Sequence, residues 1–232
     1  MPGSKGGEGS LFALPESTVY NRRIPKQKFY DNLRLTPGLK RVFVEQVNAI
    51  YWRNKIAPGT VNVAKGELVK EIEVIEIQLN QPSLDKRVIQ LIDKEIPYHI
   101  LFLLTHKEQF QAWINYKERG KPGTHYSSEW LDKDRLSLAL EGLNLDSVYE
   151  GFIRVIAGER LPRGTDLKEA ITTDERRQQL HKEIAVLENK IRRETQFNIQ
   201  VELNNKLKML RMVLGALITE KKQGRIKPMG GF

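Results

Sequence analysis

Cysteine is absent from the 232 residues, which excludes disulfides, thiolate catalysis and cysteine-ligated zinc and fits a reducing, cytoplasmic setting. Long apolar runs are absent too. The longest, Ile100 to Leu104, is far short of the ~20 residues that cross a bilayer, so no spanning helix is expected. The opening MPGSKGGEGS lacks the apolar stretch of a signal peptide and reads as disordered or vector-derived. Also missing are a phosphate-cradling GxxxxGK[ST], a GxGxxG after a strand, an HExxH helix and a GxSxG nucleophile elbow. Histidine is scarce. His99, His106, His125 and His181 lie without metal-ligand spacing and read as structural or surface residues. These absences argue against a stand-alone enzyme and favour a nucleic-acid-binding or protein-binding subunit.

What the chain has is positive charge, net +9, unevenly distributed. Lys plus Arg against Asp plus Glu is 10 to 4 over 1–60, 13 to 16 over 61–160 and 15 to 9 over 161–232, so both ends are basic. Such ends suit a polyanion. Arg22, Arg23, Lys26 and Lys28 form a basic arm. Arg176, Arg177, Arg192, Arg193, Lys206, Lys208 and Arg211 lie in the C-terminal region, with Lys221, Lys222, Arg225 and Lys227 in the tail. All are candidates to neutralise phosphates. Trp52, Trp113 and Trp130 are of a type that stacks on bases, but each sits in or beside an apolar segment that suits core packing.

The hydrophobic pattern predicts a mixed α/β (α+β) core over 14–157, a linker over 158–173, a helical extension over 174–222 and a basic flexible tail over 223–232. Thr36-Pro37 starts a helix predicted to reach about Trp52, followed by a short strand at Thr60–Val63. Leu68 to Leu79 alternates with one slip, which predicts a strand with a bulge near Val74 or Ile75. Ser83 and Asp85 open a helix ending before Pro97, and HILFLLTH reads as a central strand that turns at Lys107-Glu108 into a strand from Phe110 to Tyr116. Residues Thr124 to Trp130 add another strand, and Asp146 is predicted to cap a helix closed by Gly158.

The extension carries two apolar seams, Leu180, Ile184, Leu187, Ile191 and Leu203, Leu207, Leu210, Leu214, Leu217, at coiled-coil spacing but two residues out of phase. They predict either an antiparallel hairpin or one long helix, with a slight preference for the hairpin. Leu180, Ile184, Leu187, Ile191, Leu207, Leu210 and Leu214 are the expected partner-binding residues, and a homodimer through this region would show as a concentration-dependent mass.

The acidic strand is the one place where catalysis fits. Its element order matches the restriction-endonuclease-like fold, whose acidic motif ends in Lys; here Glu76-Ile77-Gln78 has Gln in that place. Glu45, Glu73 and Glu76, with Gln78, are the candidates for a Mg²⁺-dependent nuclease, because paired carboxylates supply hard oxygen ligands. The competing reading is a solvated strand face, and a nuclease scaffold that only binds is a third.

The segments LPESTVYNRRIPKQKFYDNL, VNAIYWRNKIAP, EIEVIEIQL, IPYHILFLL and RRETQFNIQVELNNKLK together resemble the bacterial domain of unknown function 4391 family, from Leu14 to about Leu217. The resemblance implies a setting: products of genes beside DNA methyltransferases and superfamily 2 helicases, in loci like restriction-modification or phage-defence systems. It implies no catalytic residue. The expected function is a non-enzymatic accessory subunit that binds DNA backbone and a helicase or methyltransferase partner without a cofactor. A metal-dependent nuclease and a protein-protein adaptor are the alternatives.

Overall fold

The structure is a computed structural model that describes residues 14–32, 35–118, 123–132 and 136–223. The N-terminal segment to residue 13 and the tail from 224 on, both expected to be disordered or flexible, lie outside these residues. The chain divides into two compact units, Met1–Ala157 and Gly158–Phe232.

The first unit is a mixed sheet of seven strands with helices. Strand β1 (Val19–Arg23) forms an edge, α1 (Lys26–Asn32) follows, and α2 (Pro37–Gln46) starts where Thr36 accepts a hydrogen bond from the Leu39 N–H. Next come β2 (Val47–Ile56), β3 (Ile72–Leu79), α3 (Lys86–Glu95), β4 (His99–His106), β5 (Gln109–Tyr116), β6 (Thr124–Ser127), β7 (Leu131–Asp132) and α4 (Leu145–Ala157). Spatial order follows chain order from β1 to β6, with β7 on β5. Among the named strands, β3 and β4 are the parallel pair, because α3 carries the chain back between them. Asp85 caps α3 by accepting from the Arg87 N–H.

On one sheet face, Ile75, Ile77, Leu79, Ile100, Phe102, Leu104 and Trp113 pack with Phe43 of α2 and Val88, Ile89 and Ile92 of α3. Side-chain alternation sends Val74, Glu76, Leu101, Leu103 and Thr105 to the opposite face. There Tyr149 of α4 meets the His99 ring at 4.8 Å between centroids, and α4 packs on β5 and β6. Strands β3 and β4 are therefore buried on both sides, as the apolar run in β4 predicts.

Four expectations are corrected. The helix from Pro37 stops at Gln46, and Val47–Ile56 is strand: VNAIYWRNKI is rich in β-branched and aromatic residues, and its spacing fits either period. Residues Thr60–Val63 are not a strand but a turn and bend within the β2–β3 connection. The slip in alternation is not a bulge in β3, which pairs regularly with β4; the irregularities lie in β2, between Val47 and Ala49 and between Trp52 and Asn54. Asp146 does not cap α4, a role taken by Asn144 through the Ser147 N–H at 3.0 Å. Its carboxylate instead accepts from the Glu67 and Val69 N–H groups at 2.6 and 2.7 Å, anchoring the β2–β3 connection. A Cβ on Gly66 would lie 2.2 Å from that carboxylate, so the close approach requires glycine.

The second unit holds α5 (Leu167–Arg193) and α6 (Phe197–Gln223). Helix α5 starts inside the expected linker because Asp166 accepts from the Glu169 N–H, so seven residues assigned to the linker, 167–173, are helical. Ile184, Leu187 and Leu207 are buried together with Ile191, Leu203, Leu210 and Leu214 around them, and Arg211 reaches Glu188 at 2.7 Å. Glu188 meets Arg211 while Glu194, further along, meets Gln200, so partners advance on α5 as they retreat on α6, which makes this an antiparallel hairpin. The reversal needs no Gly or Pro. Glu194 leaves the helical region (φ −76°, ψ 131°), and its carboxylate accepts from the Thr195 and Gln196 N–H groups at 2.9 Å, where α6 begins.

Candidate functional site

Strand β3 is where titratable chemistry concentrates, and its two faces differ. Glu76 is 6% exposed and fully engaged. It accepts from the Thr105 hydroxyl at 2.8 Å, from the Gln78 amide at 3.5 Å and from Arg53 through both Nε and a terminal nitrogen. Arg53 is the residue added to β2 at its second irregularity. That extra residue turns its guanidinium toward Glu76, over the Tyr51 ring at 4.5 Å and onto the Asn21 side chain.

On the other face, Glu73 is 2% exposed and neither carboxyl oxygen has a hydrogen-bond partner. Glu71, which precedes β3 on the same side, meets Lys55 of β2 at 2.7 Å. Burial first, and then the neighbouring Glu71 carboxylate, push the Glu73 carboxyl up to about 9, against weaker opposition from Lys55 and Trp52. Burial also raises Glu71, but the Glu73 carboxyl and the Lys55 ammonium outweigh it and hold Glu71 below the usual range. At neutral pH the pair therefore carries one proton and one negative charge.

This arrangement replaces both sequence readings of the acidic strand. The face is not solvated, since Glu73 and Glu76 are both buried. Nor do Glu45, Glu73 and Glu76 converge: Glu73 and Glu76 project from opposite faces of β3, and Glu45 is exposed on α2. Gln78 shares the Glu76 face. Among the described residues no three His, Asp or Glu side chains group as metal ligands.

Sequence reasoning missed a second polar cluster. Asp93 on α3 accepts from the Asn115 amide at 2.6 Å, pairs with Lys117 at 3.0 Å and lies 3.9 Å from His125 Nε2. Burial keeps His125 below its ordinary value, and it holds His99, in contact with Tyr149, at about 4. Asp93 follows the helical spacing of α3's apolar face, the only signal of its burial in the sequence.

The basic candidates divide by what they touch. The Lys26 ammonium donates to the carbonyls of Phe43 and Val47 at the end of α2, Arg177 pairs with buried Asp174, and Arg211 pairs with Glu188. These three have structural roles. Arg22 and Arg23 are exposed on β1, with Arg22 over the Tyr20 ring at 4.5 Å and Tyr20 against Trp52 at 4.3 Å; Lys28 is exposed on α1. Arg176, Arg192, Arg193, Lys206 and Lys208 are exposed on the hairpin, with Arg192 and Arg193 in the last turn of α5. The expected partner-binding seams face each other: Leu180 is buried, and Ile184, Leu187, Ile191, Leu207, Leu210 and Leu214 pack inside the hairpin. Apolar residues on the outside are different ones, including Met209, Met212 and Val213 on one side of α6.

No helix among the described residues is long and apolar enough to cross a membrane. No curated protein and no solved structure matches the chain. A family model described as Domain of unknown function (DUF4391) matches residues 12–214, and the chain belongs to that family.

Proposed function

We propose that this chain is a cytoplasmic accessory subunit of a bacterial phage-defence or restriction-modification-like system, binding nucleic-acid backbone and a helicase or methyltransferase partner. The observation that carries the nucleic-acid part is the exposed basic set on the hairpin. Arg192, Arg193, Lys206 and Lys208 project outward while the apolar seams are consumed inside. Cations in that position gain little for folding and are free to neutralise phosphates. At the β1 edge, Arg22 with Tyr20 and Trp52 sets a guanidinium beside aromatic rings, a combination that suits phosphate contact and base stacking. Nothing in either set reads base edges, so binding is expected to be indifferent to sequence. Contact with the partner protein falls on the outward Met209, Met212 and Val213 rather than on the seams.

The test is anisotropy titration of duplex and single-stranded DNA at two salt concentrations. Arg192→Glu/Arg193→Glu is expected to weaken binding at low salt by more than about tenfold and to lower the salt slope by about 2. Unchanged affinity and slope, with the helical signal intact, would refute nucleic-acid binding by the hairpin.

A further inference from the structure

A buried carboxyl group with no hydrogen-bond partner costs several kcal/mol unless something else engages it. Glu73 is such a group. It is 2% exposed, with both oxygens unpartnered, while Thr105, Gln78 and Arg53 serve Glu76 on the opposite face. Spacing of i, i+2 puts Glu71 on the same side, and both residues meet Lys55, which lies opposite Glu73 in the β2–β3 ladder and contacts the Glu71 carboxylate. Lys55, the cation paired with Glu71 among the described residues, lies at 2.7 Å, and its side chain is 36% exposed and able to swing into solvent.

We propose that Glu71 and Glu73 form a divalent-cation site of the hard-oxygen class, taking Mg²⁺, Mn²⁺ or Ca²⁺. Two carboxylates with a carbonyl or water complete the donor set such ions prefer, and a doubly charged ion relieves the repulsion between them. Thiophilic metals are disfavoured, since no sulfur or imidazole is part of the pair. Lys55 is the resident counter-cation, displaced from Glu71 when the ion enters. The assignment keeps Glu73 from the sequence candidates but replaces Glu45 and Glu76 by Glu71. It does not rest on the nucleic-acid reading, because it concerns the α/β unit alone and is read without DNA.

Trp52 neighbours Glu73 and supplies a built-in reporter, since an indole close to bound Tb³⁺ sensitises its luminescence. The experiment titrates the full-length chain with Tb³⁺ by luminescence and with Mn²⁺ by calorimetry. One saturable site is expected, with Tb³⁺ emission lost in Trp52→Phe while Mn²⁺ heats persist. Glu73→Gln and Glu71→Gln are each expected to weaken Mn²⁺ binding at least about tenfold, since affinity follows the number of charged ligands. Glu45→Gln is expected to change nothing. Glu73→Gln mimics the protonated acid and so keeps the fold, which a melt in chelator verifies. Absence of saturable binding at millimolar Mn²⁺, or binding that survives Glu73→Gln, would overturn the site.

Discussion

Glu73 and Glu76 sit three residues apart on one strand, both inside the protein, yet one is bound by three donor side chains and the other by none. The difference comes from the neighbouring strand. An extra residue in β2 turns Arg53 toward Glu76, while Trp52 and Lys55 are left on the Glu73 side. Burial alone therefore does not define a carboxylate's chemistry; what faces it decides whether it is a hydrogen-bonded structural anchor or a group left without a partner.

Removing the anchor gives the largest expected effect. Glu76→Ala leaves Arg53 and Thr105 without their acceptor and should lower stability by about 3 kcal/mol, seen as a lower urea midpoint at constant m-value. The opposite sign is expected across the strand. The folded state raises the Glu73 value to about 9 from an ordinary 4.5, so its contribution is intact below about 4.5 and is lost as pH rises toward 9. In chelator at pH 6, Glu73→Gln should thus stabilise the protein by ~2 kcal/mol, with the gap closing near pH 4 and widening above pH 6. A gap independent of pH would mean that folding does not raise the Glu73 value and would erase the contrast. The smallest effect belongs to Arg53→Ala, about 1.5 kcal/mol, because Thr105 and Gln78 still hold Glu76 and the lost guanidinium was part-exposed. An effect as large as that of Glu76→Ala would show the ion pair, rather than the hydroxyl, to be the anchor.

Much of the sheet was legible. Helix α3 followed from Asp85 and its apolar spacing, β4 from an uninterrupted apolar run, the β4–β5 turn from Lys107-Glu108, and the end of α4 from Gly158, which adopts φ 55°. The passage from α2 to β2 was not. Val47, Ile50 and Tyr51 continue the spacing of Leu39 and Phe43, and no Gly or Pro separates them, so only pairing with β3 chooses the extended form. The candidate site was half visible. Glu73 stands out as a charge in a β-branched run, but its companion could not be chosen among Glu45, Glu71 and Glu76 until the faces were known. The hairpin seams were visible; their partner was not, because the turn rests on Glu194 rather than on a glycine.

By itself the sequence determined that the chain has a mixed α/β core and a basic helical extension, because apolar periodicity and charge count are local properties. Tertiary structure decided which acidic side chains meet which bases and which apolar seams are already covered. Those outcomes depend on strand register and on one extra residue in β2, and a shift of one residue moves a side chain to the other face of the sheet.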